Sequence, residues 1–148
     1  MKRQNGQSVR ELFLQLLRTR MALRRALQRT LRKNDAGISF EMLQVINRLY
    51  DHPGFSQQHL AESIYKSKAS TSNIIANLEK RGYVRREEDP SDRRNRKVFL
   101  TEEGILFHYR LMPMTEDVYA FTEERFGKEK ALEIKKMLKE LYDILETY

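Results

Sequence analysis

The chain has 148 residues, with 28 Lys and Arg against 21 Asp and Glu, which fits one domain or one domain with helical extensions. It contains no Cys, so disulfides, thiolate metal sites and cysteine nucleophiles are excluded, and its longest apolar run of four residues excludes a membrane-spanning helix, which needs roughly 20. The net charge of +7 makes nucleic acid the first partner to consider, and a basic N-terminus with no apolar signal segment after it makes the cytoplasm the expected location.

The first predicted element is one long helix over residues 9–31. Apolar residues recur there at helical spacing, with arginines between them, until the segment 34–37 ends the pattern. Residues 1–33 carry ten basic side chains against one acidic side chain, for a net charge of +9. Such a surface can face a polyanion, although surplus Lys and Arg can also serve only to keep a small protein dissolved.

Three capped helices are predicted to follow. Ser39 can cap a helix that continues until the Pro53-Gly54 pair stops it. Ser56 can then cap a short helix, and Ser67 can cap a further one. Because only residues 65 and 66 come between them, the sequence predicts two helices joined by a very tight connection.

A β-hairpin is predicted next. Residues 83–86 and 98–100 have the pattern of two short strands, separated by a charged tip that contains Pro90. Residues 66–100 carry a net charge of +5. The order of helix, tight turn, helix and Arg-tipped hairpin is typical of a winged helix-turn-helix, whose second helix enters the DNA major groove while the wing follows the backbone.

Two more helices complete the predicted order. Thr101 can cap a helix that runs to about Phe126, with a kink expected at Pro113. After Gly127, apolar residues recur in steps of four and three, which predicts a last helix with a seam close to that of a coiled coil. We therefore expect three parts: an N-terminal helix over residues 1–37, a winged helix-turn-helix over 38–101 and C-terminal helices over 102–148.

The second helix of the tightly joined pair has the side chains expected of a recognition helix. Short polar groups on one face can approach base edges closely, whereas another face can pack inward. The inward face consists of Thr71, Ile74, Ile75 and Leu78. Side chains near the helix N-terminus can bind phosphates, helped by the free N–H groups there. A polar exposed face without function is the alternative. The candidate contacts are Ser67, Lys68, Ser70, Thr71, Ser72, Asn73 and Asn77.

Arginines on the hairpin are suited to the DNA minor groove, whose negative potential favours a guanidinium group. A neighbouring Asp can hold such an arginine in an extended pose. The alternative is an exposed loop of salt bridges, which contributes little to stability. The candidate wing contacts are Arg86, Asp92, Arg93, Arg94 and Arg96.

Residues 89–104, DPSDRRNRKVFLTEEG, resemble the wing signature of the MarR (multiple antibiotic resistance regulator) family. The preceding residues 78–90 resemble the same family's passage from recognition helix into wing. The resemblance implies a mainly α (α+β) fold, in which a winged helix-turn-helix joins N- and C-terminal helices that form a dimerisation domain. The matched positions are Leu78, Glu79, Lys80, Gly82, Val84, Arg86, Asp92, Arg94, Leu100, Thr101 and Gly104.

The resemblance also assigns roles to single residues. It implies that Arg94 enters the minor groove, that Asp92 positions it, and that residues 67–77 read the major groove. Asn73 and Asn77 stand where many members of the family have Arg or Lys. The position of the site therefore transfers from the family, but no relative's operator sequence does.

The apolar stripes of the first and last helices need a partner, because one winged helix is too small to cover both. Two-fold dimerisation would cover them and place two recognition helices about one DNA turn apart. Packing of these helices within a single chain is the alternative. The candidate interface residues are Leu12, Leu16, Ile134, Leu138, Leu141 and Leu145.

Regulators that resemble this chain commonly respond to a small anionic or phenolic effector, bound between the dimerisation and DNA-binding parts. For aromatic and Met side chains, ordinary core packing is the alternative. No cofactor is expected, and the three histidines at 52, 59 and 108 lack the spacing of metal ligands. The candidate effector-binding residues are Phe13, Tyr50, Phe107, Tyr109 and Met112.

The chain has no Gly-rich phosphate loop and no nucleophile motif, so we do not expect an enzyme. We expect instead a homodimeric, sequence-specific transcriptional regulator that binds double-stranded DNA. Repression, relieved when an effector releases the protein from a palindromic operator, is favoured over activation. A winged-helix module that binds another protein and a sequence-tolerant DNA-packaging protein are the alternatives. The arginines of the wing argue against the first, and a strong preference for one operator would exclude the second.

Overall fold

The computed structural model describes residues 6–148, apart from the side chains of Arg93 and Arg94. Over this range the fold is mostly helical with one small antiparallel sheet, as expected. None of the helices in the described range is long and apolar enough to cross a membrane. The elements are α1 (Gln7–Lys33), α2 (Phe40–Asp51), α3 (Gln57–Ser63), α4 (Lys68–Lys80), β1 (Val84–Asp89), β2 (Asp92–Leu100), α5 (Glu102–Phe126) and α6 (Lys128–Glu146).

Serine caps begin α2, α3 and α4 at the predicted places. The hydroxyl oxygens of Ser39, Ser56 and Ser67 each accept a hydrogen bond, at 3.1 to 3.2 Å, from the backbone N–H three residues later. Each cap satisfies one of the N–H groups that a helix start leaves unpaired, which stabilises the helix by about 1 kcal/mol. These three helix starts are therefore decided locally.

The hydrophobic core lies among α2, α3, α4, the hairpin and the first turns of α5. The C-terminal part of α1 joins this core through Leu31, which is 1% exposed. Fully burying such a side chain contributes roughly 1.5–3 kcal/mol. The largest fully buried side chains are Leu31, Ile46, Leu49, Leu60, Ile64, Ile75, Leu78 and Leu111.

The hairpin differs from the prediction in its length. The strands extend through the charged segment, and only residues 90–91 remain as the turn. Lys97 lies opposite Glu87, and such an oppositely charged cross-strand pair stabilises a ribbon that has no apolar alternation. At the turn, the carboxylate of Asp89 accepts hydrogen bonds from the N–H and hydroxyl groups of Ser91. The prediction of short strands and a long tip was therefore wrong.

The wing and α5 approach each other closely at Gly104. A Cβ atom at this position would lie 2.0 Å from the carbonyl oxygen of Tyr83, so a larger residue would push the backbones apart. The N–H of Thr101 donates to the same carbonyl at 3.0 Å, and the Thr101 hydroxyl oxygen accepts from the N–H of Gly104, also at 3.0 Å. The Thr and Gly of the wing signature thus join the hairpin to the start of α5.

The chain divides into two compact units, with the boundary between Met114 and Thr115 inside α5. The second unit contains the last part of α5 and the whole of α6. α6 begins after Gly127, as predicted, and buries none of its residues. α5 is continuous through Pro113, and the kink expected there stays a prediction. The division into an N-terminal helix, a winged helix and C-terminal helices also stays a prediction.

Candidate nucleic-acid interface

α4 separates an apolar face from a polar one. Ile75 and Leu78 are buried against the core, as predicted. Another face of the helix exposes Ser70, Asn73 and Asn77, whose side chains are short and polar. The exposed candidates of α4 and its cap are Ser67, Lys68, Ser70, Asn73 and Asn77.

Thr71 is a correction to the predicted contacts. Its side chain is 0% exposed, and its hydroxyl donates to the carbonyl oxygen of Ser67 at 2.9 Å. Because a buried hydroxyl that already has a partner cannot reach a base or a phosphate, Thr71 belongs to the packing face of α4. Its β-branched side chain fills the core, while the bond to Ser67 satisfies its polar group.

A hydrogen bond from Arg86 joins the wing to α4. It lies on β1, half-buried, and its Nη2 donates to the backbone carbonyl of Ser72 at 3.0 Å. Among the described residues its buried Nε has no hydrogen-bond partner. Ser72 is itself half-buried, and it offers Arg86 a carbonyl oxygen. The contact fixes the wing relative to α4, which sequence reasoning did not anticipate.

A polar cleft of about 230 Å³ opens beside this contact. It brings together the first turn of α3, the N-terminal half of α4 and the wing. Its charged members are all basic, so an anion such as a DNA phosphate would meet several donors there. Gln57 and Gln58 were missed by sequence analysis, although they follow directly on the Ser56 cap. The lining residues are Gln57, Gln58, Lys68, Ser72, Arg86, Asn95 and Arg96.

The wing carries the remaining predicted contacts. Asp92 is exposed at the start of β2, where it lies opposite Asp89. Hydrogen bonds from Ser91 hold the pKa of Asp89 below its ordinary value. Arg96 is exposed and its guanidinium lies 3.9 Å from the carboxylate of Glu88, a contact too long and exposed to hold it firmly. The predicted side-chain roles of Arg93 and Arg94 lie outside the described part of the chain.

Two of the predicted effector residues meet. The hydroxyl groups of Tyr50 and Tyr109 are hydrogen-bonded at 2.9 Å, and this bond raises the pKa of Tyr50. Tyr50 also stacks on His108 with ring centroids 3.9 Å apart. Burial lowers the pKa of His108, against the opposing charge of Asp51, so the stacked ring is neutral near pH 7.

The other effector candidates lie in different surroundings. Phe107 is a correction, because it is 5% exposed, belongs to the core and stacks on Tyr83 at 4.3 Å. Phe13 and Met112 are exposed on α1 and α5. Next to Tyr109 lies an open groove of about 620 Å³ that sequence analysis missed. Its lining residues are Arg81, Tyr83, Glu103, Leu106, Tyr109 and Arg110.

Large apolar faces are left uncovered in the single chain. In α1 only Leu27 and Leu31 are buried, and the N-terminal part of the helix exposes a row of apolar side chains. Among the interface candidates Leu12, Ile134 and Leu145 are 40–51% exposed. Leu16, Leu138 and Leu141 are half-buried.

Histidine and carboxylate side chains form no metal-binding group of three or more within the described residues. The charged side chains that line the cleft beside α4 are instead Lys68, Arg86 and Arg96. This arrangement of an exposed polar helix, a tethered wing and a basic cleft suits a polyanion better than a metal ion.

Comparison with known proteins identifies the same class. The model of the MarR family matches residues 36–95. The transcriptional regulator HosA of Escherichia coli O111:H- is 38% identical over 84 residues, which are 57% of this chain and 60% of HosA. The chain thus spans about three fifths of the length of this relative. The HTH-type transcriptional regulator FarR of Neisseria gonorrhoeae is 31% identical over 111 residues, 75% of this chain and 76% of FarR.

Solved structures extend the likeness over most of the chain. The transcriptional regulator PA4135 superposes with a TM-score of 0.81 at 32% identity, covering 90% of this chain and 96% of that one. NadR in complex with 4-hydroxyphenylacetate superposes with a TM-score of 0.74 at 30% identity, covering 86% of this chain and 89% of that one. Sco3205 from Streptomyces coelicolor, in complex with DNA, superposes with a TM-score of 0.78 at 26% identity, covering 92% of this chain and 90% of that one. The similar proteins are transcription regulators and not enzymes, as predicted.

Proposed function

Since the chain belongs to the MarR family of transcriptional regulators, we propose that it binds a palindromic DNA operator as a homodimer and represses transcription. The observation that carries this proposal is the exposed row of short polar side chains on α4, held next to the wing by Arg86. Such side chains can approach base edges, and the neighbouring basic cleft can hold the backbone. The related Sco3205, whose structure contains DNA, supports this assignment.

In this proposal some side chains contact bases and others contact the DNA backbone. Asn73 and Asn77 read bases in the major groove, because an asparagine amide can form two hydrogen bonds with adenine. Ser67, Lys68 and Ser70 bind phosphates at the N-terminus of α4, where unpaired N–H groups add to the attraction. On the wing, Arg94 enters the minor groove, Asp92 positions it, and Arg93 and Arg96 follow the backbone.

The uncovered apolar faces of α1 and α6 support the proposed homodimer. Pairing two chains through these faces would remove exposed leucine and isoleucine side chains from water, at roughly 25 cal/mol for each Å² of apolar surface buried. A two-fold axis would also place the two recognition helices about one helical turn of DNA apart, roughly 10 bp between half-site centres. An operator with two inverted half-sites is the matching DNA.

Effector release is the regulatory part of the proposal. A small anionic or phenolic compound would bind near the Tyr50–Tyr109 pair, where Arg81 and Arg110 line the adjoining groove. The relative NadR was solved with 4-hydroxyphenylacetate, a compound that is both phenolic and anionic. Such a compound weakens operator binding only if it binds the DNA-free conformation more tightly than the DNA-bound one. Because its target is DNA, we place the protein in the cytoplasm.

Selection of bound fragments from random-sequence DNA tests the proposal. The affinities of the selected and scrambled DNA are then measured at several salt concentrations, and the mass of the protein in solution is determined. A palindromic winner, bound at least a thousandfold more tightly than scrambled DNA by a dimer, is the expected result. Equal affinity for all DNA would instead indicate a packaging protein, and failure to bind DNA would favour a protein partner.

A further inference from the structure

The connection between α3 and α4 contains a residue that its backbone does not favour. Tyr65 has φ 56°, in the left-handed region where glycine is the usual residue. The turn is closed by its N–H, which donates to the carbonyl of Glu62 at 3.2 Å, and by that of Lys66, which donates to Ala61 at 3.1 Å. The Tyr65 side chain is 78% exposed, so burial does not compensate for the strain. A strained, exposed aromatic residue points to a function outside the fold.

Two cations flank Tyr65. The guanidinium of Arg20, on α1, lies 5.7 Å from the centre of the tyrosine ring. Lys66 follows directly in the chain. Within the described range, neither Arg20 nor Lys66 has a carboxylate within 4.0 Å, whereas Arg24, one turn beyond Arg20, is paired with Glu41 at 2.6 Å. The charge of Lys66 also helps to lower the pKa of Glu41 from a distance, but no ion pair in the described range holds either cation, so both can meet an outside anion.

This cluster continues the basic surface of α4. Lys66 precedes the Ser67 cap and Lys68 follows it, while Arg20 of α1 contacts the ring of Tyr65. Basic side chains therefore occur at the start of α4, in the turn before it and on the part of α1 that contacts this turn. α1 in turn belongs to the strongly basic segment 1–33. DNA presents phosphates at regular intervals along its backbone, and a row of cations of this kind matches such a partner better than a single small anion.

We infer that Arg20, Tyr65 and Lys66 form a second DNA-backbone surface, which extends the interface from α4 onto the first helix. The inference rests on the proposed DNA-binding function. Arg20 and Lys66 bind phosphates next to those at the N-terminus of α4, and the Tyr65 hydroxyl donates to a phosphate oxygen. Since phosphates carry no sequence information, this surface raises the affinity for operator and scrambled DNA alike.

The first test is Arg20→Gln in the full-length chain. We expect weaker binding to operator and scrambled DNA by the same factor, and a salt slope lower by about 0.9 for each phosphate that a protomer no longer neutralises. Arg29→Gln is the matched control, because Arg29 is also exposed on α1 but lies nine residues away, about 180° around the helix. An equal decrease in affinity in the control would show an effect of total charge and overturn the inference.

The second test is Tyr65→Gly, which separates binding from stability. Glycine adopts a positive φ without strain, so the variant should melt no lower than wild type. It should nevertheless bind DNA more weakly, because the hydroxyl and the ring that holds Arg20 are gone. Wild-type affinity in both Arg20→Gln and Tyr65→Gly would overturn the inference. Failure of the wild-type protein itself to bind DNA would instead remove the proposed function, so the two failures are distinguishable.

Discussion

The amide of Asn73 lies on the exposed face of α4, and its replacement tests base reading directly. In Asn73→Ala we expect the preference at one base pair per half-site to relax, because a bidentate hydrogen bond to a base is worth about 1–3 kcal/mol of discrimination. The affinities of operators that carry each of the four base pairs at every position measure this. Asn77→Ala is the matched control and should relax a different position. Uniform weakening over all sequences would show that Asn73 contacts a phosphate.

Arg86 tests positioning instead of contact. Arg86→Lys keeps the positive charge but lacks the planar fork that reaches the Ser72 carbonyl, so we expect a decrease of about 1–2 kcal/mol in the free energy of unfolding. Operator affinity should fall while the salt slope stays at the wild-type value, because the number of neutralised phosphates is unchanged. Denaturant unfolding and salt-dependent binding measure both effects. Because lysine keeps the charge, a reduced slope would mean that the guanidinium group of Arg86, and not its charge alone, binds a phosphate.

At the scale of elements, the packing of α1 on α2 includes a partly buried ion pair. Burial alone would raise the pKa of Glu41, but hydrogen bonds from Arg24 and from its own backbone, with the charges of Arg24 and Lys66, hold the pKa below the ordinary 4.5. A folded-state pKa below the unfolded one means that the unfolded chain binds the proton more tightly. The stabilisation by this carboxylate is therefore fully present above pH 4.5 and is lost as the pH falls through the folded-state pKa.

The prediction for this pair concerns Glu41→Gln. At pH 7 we expect the variant to unfold with a free energy about 1 kcal/mol lower than that of wild type, because the charged hydrogen bond is removed. The difference should shrink as the pH falls below 4.5, where the wild-type carboxylate also becomes neutral. Denaturant unfolding between about pH 3 and pH 7 measures it, with Glu133→Gln, an exposed carboxylate in the interior of α6, as the control. A difference that persists unchanged at the acidic end of this range would contradict the assignment.

For the whole molecule, the exposed apolar faces lead to a prediction about assembly. Ile134 is 40% exposed in the single chain, so Ile134→Glu should leave the fold of one chain intact. In a dimer the new charge would be buried without a partner, which costs several kcal/mol, so we expect monomers and a lower affinity for the two-site operator. Sedimentation and binding to full and half operators measure this outcome.

The control for this substitution introduces the same side chain elsewhere. Lys136→Glu lies two residues further along α6, about 160° around the helix from Ile134. It should remain dimeric, because it places a glutamate on the polar face. If both variants dissociate, the charge of α6 and not its apolar seam controls assembly. If neither does, the candidate interface is wrong.

Local chemistry explains which elements could be predicted. Ser39, Ser56 and Ser67 bond to N–H groups only three residues away, so their caps can be predicted from the sequence. The inward face of α4 follows from helical periodicity. The wing signature at residues 89–104 likewise indicated the family. The bond between its Thr101 and Gly104 joins residues only three positions apart, so this contact is also local.

Contacts between residues that are distant in sequence explain the features that the sequence did not predict. The wing is longer than predicted because cross-strand pairing, as between Glu87 and Lys97, stabilises strands that lack apolar alternation. Phe107 belongs to the core and not to a pocket, because Tyr83, in the segment between α4 and β1, stacks on it. Composition and local pattern thus determined the order of the helices and favoured a nucleic-acid partner. Only the tertiary structure decided which distant side chains come together, because Arg20 and Tyr65, 45 residues apart in sequence, meet only when the chain folds.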